Sequence, residues 1–332
     1  MDDASAVRSG VSSPRGHLRM GSNGHRPIKS RMLRRLLHGG RPVAFVLSGG
    51  GSLGSIQVGM LQALFDSGIR PDMLIGTSVG AVNAAWVAGW PDSEGVAKLA
   101  DIWKGLRRDD VFPLGWAAAA GLLGRSNHLI SSAGLRSILD RFIPYERLEQ
   151  AQIPVHVVAS ELRNGRACVL SSGPAVPALL ASCAIPGVFP PVTIGRRELV
   201  DGGVANHTPI EAAIELGAQR IYVLPIGYPW LHDEPTNALG MALQALARLV
   251  EQRLESEIAT YKDAAEIIVI PALEPLAVSP ADFSHTAELI ERGHLSAMKL
   301  LKSPRPKSEP AVQKARASEV RAAGADPAEA AA

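Results

Sequence analysis

The stretch from Pro42 to Gly80 constrains the chain most. A run of buried character, Val43-Ala44-Phe45-Val46-Leu47, leads into Ser48-Gly49-Gly50-Gly51-Ser52-Leu53-Gly54, then a helical pattern and a second strand ending in Gly76-Thr77-Ser78-Val79-Gly80. The last five residues have the G-x-S-x-G form, which sets a serine on a sharp strand-to-helix turn. Gly76 and Gly80 leave room for that turn and for close backbone approach. The first loop is a run of glycines opening a helix, where free N–H groups can face a negative oxygen. A serine nucleophile and an anion-stabilising loop, one strand-helix-strand unit apart, together point to acyl transfer.

The glycine loop also fits G-x-G-x-x-G, the dinucleotide fingerprint. That reading requires an acidic residue near the end of the second strand. Here Asp72 stands at its start, and the strand ends in Gly76-Thr77-Ser78. A phosphate-binding P-loop is excluded because no Gly-Lys-Ser/Thr follows.

Apolar runs at 43–48, 154–160, 220–225 and 266–270 predict strands covered on both faces; 72–76, 166–171 and 192–194 complete the candidate strands. Helices are expected at 52–67, 79–89, 93–105, 132–141, 145–150, 174–183, 208–216 and 237–262. Their alternation predicts an α/β fold with a mostly parallel central sheet covered by helices on both faces. Within 237–262, Leu239, Leu243, Leu246, Val250 and Leu254 form one stripe, the mark of a core-facing helix.

Three zones separate along the 332 residues. Residues 41–302 carry the strands and helices and form the expected catalytic domain. From Met1 to Arg41 the chain holds nine Lys and Arg against two Asp, a local charge of +7 in a Gly- and Ser-rich stretch whose residues 1–40 form the basic segment, whereas the whole chain carries only +2. This segment is expected to be a disordered tail, with an alternative role as a basic arm on anionic lipid surfaces. Residues 303–332, rich in Pro and Ala, are expected to be a second disordered tail. The small net charge gives no global case for nucleic acid. Two cysteines, Cys168 and Cys183, build no disulfide framework. The N-terminus lacks the apolar core of a secretory signal. Val111–Gly124 is the nearest approach to a membrane span and is too short; it is read as either a lipid-facing cap or core. Trp90, Trp103 and Trp230 are read as packing residues. The expectation is a cytoplasmic protein, with peripheral membrane contact through its basic tail.

A nucleophilic serine needs a base. His17, His25 and His38 lie in the tail; His128, His156, His207, His232, His285 and His294 remain. His156 lies within an apolar strand and reads as a core residue. His285 and His294 are late enough for an α/β-hydrolase of order Ser…Asp…His. The stronger candidate is Asp201, in Glu198-Leu199-Val200-Asp201-Gly202-Gly203-Val204, where two glycines after a strand end leave the carboxylate unhindered. A plain Asp-Gly turn is the structural alternative. A binding module without catalysis would have no need of Ser78, Asp201 and the glycine loop together.

Gly49–Gly54, Gly76–Gly80 and Asp201-Gly202-Gly203, with Ala181-Ser182-Cys183-Ala184-Ile185-Pro186-Gly187-Val188-Phe189-Pro190-Pro191-Val192 between them, resemble the patatin-like phospholipases in order and spacing. The resemblance covers roughly residues 42–300. It implies a lipid acyl hydrolase with a Ser–Asp dyad, no catalytic histidine, no cofactor and no metal. Ser78 would be the nucleophile and Asp201 the base. Gly49, Gly50 and Gly51 would form the oxyanion hole, with Gly54 closing the loop and Gly76, Gly80, Gly202 and Gly203 shaping the turns. The family often has Arg or Lys before the last loop glycine, where this chain has Leu53. A neutral residue there is expected to remove a charge near the substrate entrance.

Overall fold

The computed structural model describes residues 40–113, 128–227, 252–273, 276 and 278–303. Its centre is one sheet built from β1 (Val43–Leu47), β2 (Met73–Thr77), β3 (Val155–Glu161), β4 (Ala167–Leu170), β5 (Val192–Ile194), β6 (Arg197–Asp201), β7 (Arg220–Leu224) and β8 (Glu266–Val269). Strand order is β5-β6-β3-β2-β1-β7-β8, with β4 also on β3. The five strands from β3 to β8 along this order are parallel. β4, β5 and β6 pair antiparallel. The mostly parallel α/β sheet read from the sequence is therefore present.

Alternate residues of β1 explain why helices cover both faces. Phe45 and Leu47 belong to a large cluster with α1 (Gly54–Asp66) and α2 (Val79–Gly89). Ala44 and Val46 belong to a second cluster with Ile210 and Ala213 of a short helix, Ile210–Glu215, and with Ile258 of the helical run 252–261. Side chains alternate across a pleated strand, so one apolar run supplies both layers.

Several expectations shift. The 145–150 segment is only a single tight turn, Leu148–Gln150. A helix missed in the sequence, Thr286–Lys302, packs across α1. Its Gly293 faces the Ile56 carbonyl, while Gly59 of α1 faces the Ile290 carbonyl and His294 amide. A methyl group at either glycine would overlap backbone, so the crossing depends on both. The tails and Trp230, most of Val111–Gly124 and most of the 237–262 stripe lie outside the described residues. Among the described residues no helix is long and apolar enough to cross a membrane, and no cluster of His, Cys, Asp or Glu could hold a metal.

Candidate active site

The sheet itself brings Ser78 and Asp201 together. β2 pairs with the first half of β3, ending at Thr77 opposite Val158. β4 overlaps both this ladder and that of β6, so it occupies the other edge of β3. β6 consequently takes over the edge that β2 vacates, beginning with Asp201 opposite Ala159. The residue after Thr77 and the last residue of β6 thus meet at one point on one strand edge.

Ser78 is the only non-glycine with positive φ among the described residues, at φ 54° and ψ −127°. Such strain persists only where surrounding structure imposes it. Here the Ser78 amide donates to the Ser182 hydroxyl at 2.8 Å, and that hydroxyl donates to the Val158 carbonyl at 2.6 Å. The elbow glycines are steric necessities. A side chain at Gly76 would strike the Gly80 carbonyl and the Ala81 amide, and one at Gly80 the Leu47 and Ser48 carbonyls. The serine stands at the N-terminus of α2, where the helix dipole favours negative charge.

Asp201 is 7% exposed. Its Oδ1 accepts the Gly203 amide at 2.7 Å, while Oδ2 is buried without a formed hydrogen bond. Burial pushes its carboxyl up to about 6, and the neighbouring Ser78 hydroxyl and the Gly203 amide offset part of that rise. The Ser160 hydroxyl donates to the Asp201 carbonyl at 2.8 Å and accepts the Ala205 amide at 3.0 Å, fixing the turn from both sides. Gly202 passes so close to the Val158 carbonyl that no side chain fits. Cys183 lies beside the pair, and burial pushes its thiol far up, leaving it protonated.

The glycine loop divides its labour unevenly. The Gly49 amide is engaged by the His207 carbonyl at 3.3 Å. Gly54 donates back to the Gly51 and Ser52 carbonyls and lies against Val79, whose Cγ2 would be 2.5 Å from an added methyl. Neither amide is therefore directed to a substrate oxygen. Those of Gly50 and Gly51 donate to no group among the described residues. Both residues have positive φ, 150° and 61°, which glycine tolerates without cost in sterics. The Pro280 carbonyl, accepting from Ser52 at 2.8 Å, packs on Gly51 and holds the loop in shape.

A buried polar chain locks loop to elbow. Gln57 donates to the Ser48 and Leu224 carbonyls at 2.8 and 3.0 Å. Asn83 donates to the Gly54 carbonyl at 2.9 Å and to Gln57 Oε1 at 3.0 Å, and Trp103 donates to Asn83 Oδ1 at 2.9 Å. Trp103 is thus a packing residue, as expected. Leu53, by contrast, sits in the core at 1% exposure rather than at an entrance. A charge at that position would have no water to face, so the expected loss of a charge near the substrate entrance has no structural basis here.

The histidines separate clearly. His294 binds Asp66 at 3.1 Å, and His285 faces Glu288 and Asp282 at 3.4 and 3.8 Å on the surface. His156 contacts Ser171 at 2.7 Å, and burial lowers it to about 4. Of these late histidines none has Ser78 as its partner. His207 is different: its imidazole packs on Gly49 and Gly203. Sequence reasoning kept it among the available histidines and Ser182 within the matched segment without giving either a place in the site, and passed over Gln57 and Asn83. Only the position of His207 six residues after Asp201 could have flagged it.

The patatin-like phospholipase family model matches residues 45–214. The patatin-like phospholipase domain-containing protein ZK370.4 of Caenorhabditis elegans is 31% identical over 200 residues, covering 60% of this chain and 14% of that protein. Patatin-like phospholipase domain-containing protein 7 of Rattus norvegicus is 27% identical over 200 residues, with the same coverage of 60% and 14%. The lysophospholipase NTE1 of Mycosarcoma maydis is 26% identical over 222 residues, covering 64% of this chain and 11% of that protein. The chain spans less than a fifth of the length of each of these relatives. A match across just over half of the chain, from the first strand through the helix that follows Asp201, makes it a member of the patatin-like phospholipase family.

Proposed function

We propose that the protein is a serine lipid acyl hydrolase of phospholipase A or esterase type, working through a Ser78–Asp201 dyad. The observation that carries this reading is the strained Ser78 elbow beside a buried carboxylate with an unfilled oxygen. As Ser78 Oγ attacks an acyl ester, its proton passes to Asp201, and the carbonyl oxygen gains negative charge. The Gly50 and Gly51 amides stabilise that charge. Collapse expels the alcohol or lysolipid, which takes the proton from Asp201. Water then attacks the acyl-serine, giving its proton to Asp201, and the departing Ser78 recovers it.

A carboxylate of ordinary pKa is a weak base for a hydroxyl. Raising it to about 6 brings it closer to the working pH while leaving it ionised above that value. An amphiphilic substrate is consistent with Val204, 54% exposed immediately after the Asp-Gly-Gly turn. The basic segment before residue 41 is proposed to add contact with anionic lipid. Nothing in the reaction calls for a cofactor or for nucleic acid.

The test is labelling of the purified protein by a fluorophosphonate, followed by assay on phospholipids, lysophospholipids, acylglycerols and nitrophenyl esters. Labelling at Ser78, lost in Ser78→Ala, is the expected result. Labelling that persists at another serine would overturn the assignment.

A further inference from the structure

Two strands run on past the Ser78–Asp201 pair. Asp201 stands opposite Ala159, Leu199 opposite Glu161, and the Leu162 amide donates to the Glu198 carbonyl at 2.9 Å. β3 then turns back into β4 through residues 162–166, and β5 turns into β6 at Gly195 and Arg196. The two turns therefore lie side by side, on the order of 10 Å past the pair at about 3.3 Å per residue. They project from the end of the sheet where β1, β2 and β3 finish, the end that also holds the glycine loop and Ser78.

These turns carry Arg163, Arg166, Arg196 and Arg197, all exposed, against Glu161 and Glu198. Glu161 is already engaged: Arg197 lies 3.7 Å from it, and Asn164 donates to it at 2.8 Å. Arg163, Arg166 and Arg196 make no ion pair among the described residues. Leu162 stands among them at 48% exposure. The tip is held in shape, since the Gly165 amide donates to the Glu161 carbonyl at 2.8 Å and the Arg166 amide to Asn164 Oδ1 at 2.9 Å. A surface ordered in advance loses little conformational freedom when it docks.

We propose that these two turns form a docking surface for an anionic phospholipid bilayer, which sets the mouth of the site against the lipid. That this docking serves lipid hydrolysis rests on the function proposed above; the docking itself does not. A bilayer offers phosphates to the arginines and an apolar layer to Leu162, whereas a nucleic acid offers Leu162 no such layer. The basic segment cannot orient the mouth in this way. It joins the fold at Arg41, 3.6 Å from Glu266 at the start of β8, the opposite end of the parallel strands.

The test is sedimentation of the full chain with vesicles of phosphatidylglycerol and phosphatidylcholine, or of phosphatidylcholine alone. Replacing Arg163, Arg166 and Arg196 together by Ala should weaken partition onto the anionic vesicles about 100-fold, roughly five-fold for each arginine. The difference should shrink as salt rises. Replacing the same three by Lys should leave binding near wild type, and Leu162→Ser should weaken it at every salt concentration. An environment-sensitive fluorophore on Leu162→Cys should shift to the blue on anionic vesicles, and one on Asp263→Cys, just before β8, should not; the native cysteines are buried. Hydrolysis of a soluble ester should be unchanged throughout. Undiminished partition of the Ala variant, a Lys variant as weak as the Ala variant, wild-type binding by Leu162→Ser, or equal spectral shifts from the two labels would each overturn the docking surface. Vesicle binding that follows these expectations without Ser78-dependent hydrolysis would instead overturn the hydrolase reading and leave the docking surface standing.

Discussion

Replacing Asp201 by Asn should stabilise the folded protein while disabling it. The buried carboxyl has its pKa raised from 3.8 to about 6, chiefly by burial. The folded state therefore binds this proton more tightly than the unfolded chain does. Stability must fall as pH rises through the interval between those two values, and the penalty is constant above it. About two units at 1.36 kcal/mol each give a penalty on the order of 3 kcal/mol at pH 8. Asn is isosteric and neutral: its oxygen can accept the Gly203 amide, and its NH2 group can donate towards Ser78. Asp201→Asn should thus raise Tm at pH 8 by roughly 5–10 °C for a domain of this size. Below about pH 3 the two proteins should converge, because the carboxyl is then protonated in the folded and the unfolded wild type alike. Calorimetry or circular dichroism melts at several pH values provide the measurement. Turnover of a soluble ester should meanwhile fall by at least ~100-fold, the low end of a general-base contribution, and wild-type kcat/KM should show an acid limb near pH 6. A variant less stable than wild type at pH 8, or a difference that does not change with pH, would refute the argument that the carboxylate is held under strain by burial.

Ser182→Ala should destabilise the protein by about 1–3 kcal/mol for each buried backbone group it orphans, read by urea melts. It should also lower kcat more than KM, because the Ser78 amide loses its anchor; a larger effect on KM would contradict that role. Gly59→Ala and Gly293→Ala should each cost about 1–3 kcal/mol of stability through overpacking at the helix crossing, and a neutral effect in both would mean the helices separate freely.

The glycine loop and elbow were legible in the sequence because their constraints are local. Gly76 and Gly80 exclude side chains within one turn of chain, and that requirement is written in residues a few positions apart. Asp201 was legible for the same reason, through the two glycines that follow it. The Thr286–Lys302 helix was not, since Gly293 in its middle reads as a breaker until Ile56 is seen beneath it. The places of Ser182 and His207 in the site were not legible, because they are set by which strand edge β6 occupies. The uneven use of the loop amides was equally hidden. Gly49 and Gly54 look the same as Gly50 and Gly51 in a row of letters, and only their carbonyl partners tell them apart.

The division of one edge of β3 between β2 and β6 has a consequence for how such a site can diversify. Ser78 and Asp201 are far apart along the chain, yet the register of two short ladders on a common strand sets their spacing. The chain between them leaves the sheet and returns to it several times, and one of those excursions, at Ser182 and Ala184, also ties the pair in place. Insertions elsewhere in them can reshape what covers the mouth without disturbing the Ser78–Asp201 pair, so long as β3 and Ser182 keep their partners. A one-residue slip of β6 would do the reverse, turning the carboxylate to the opposite face of the sheet while every loop stayed intact. For the hydrolase proposed above, substrate range and catalytic competence are therefore separately mutable, the first in the loops and the second in a handful of hydrogen bonds.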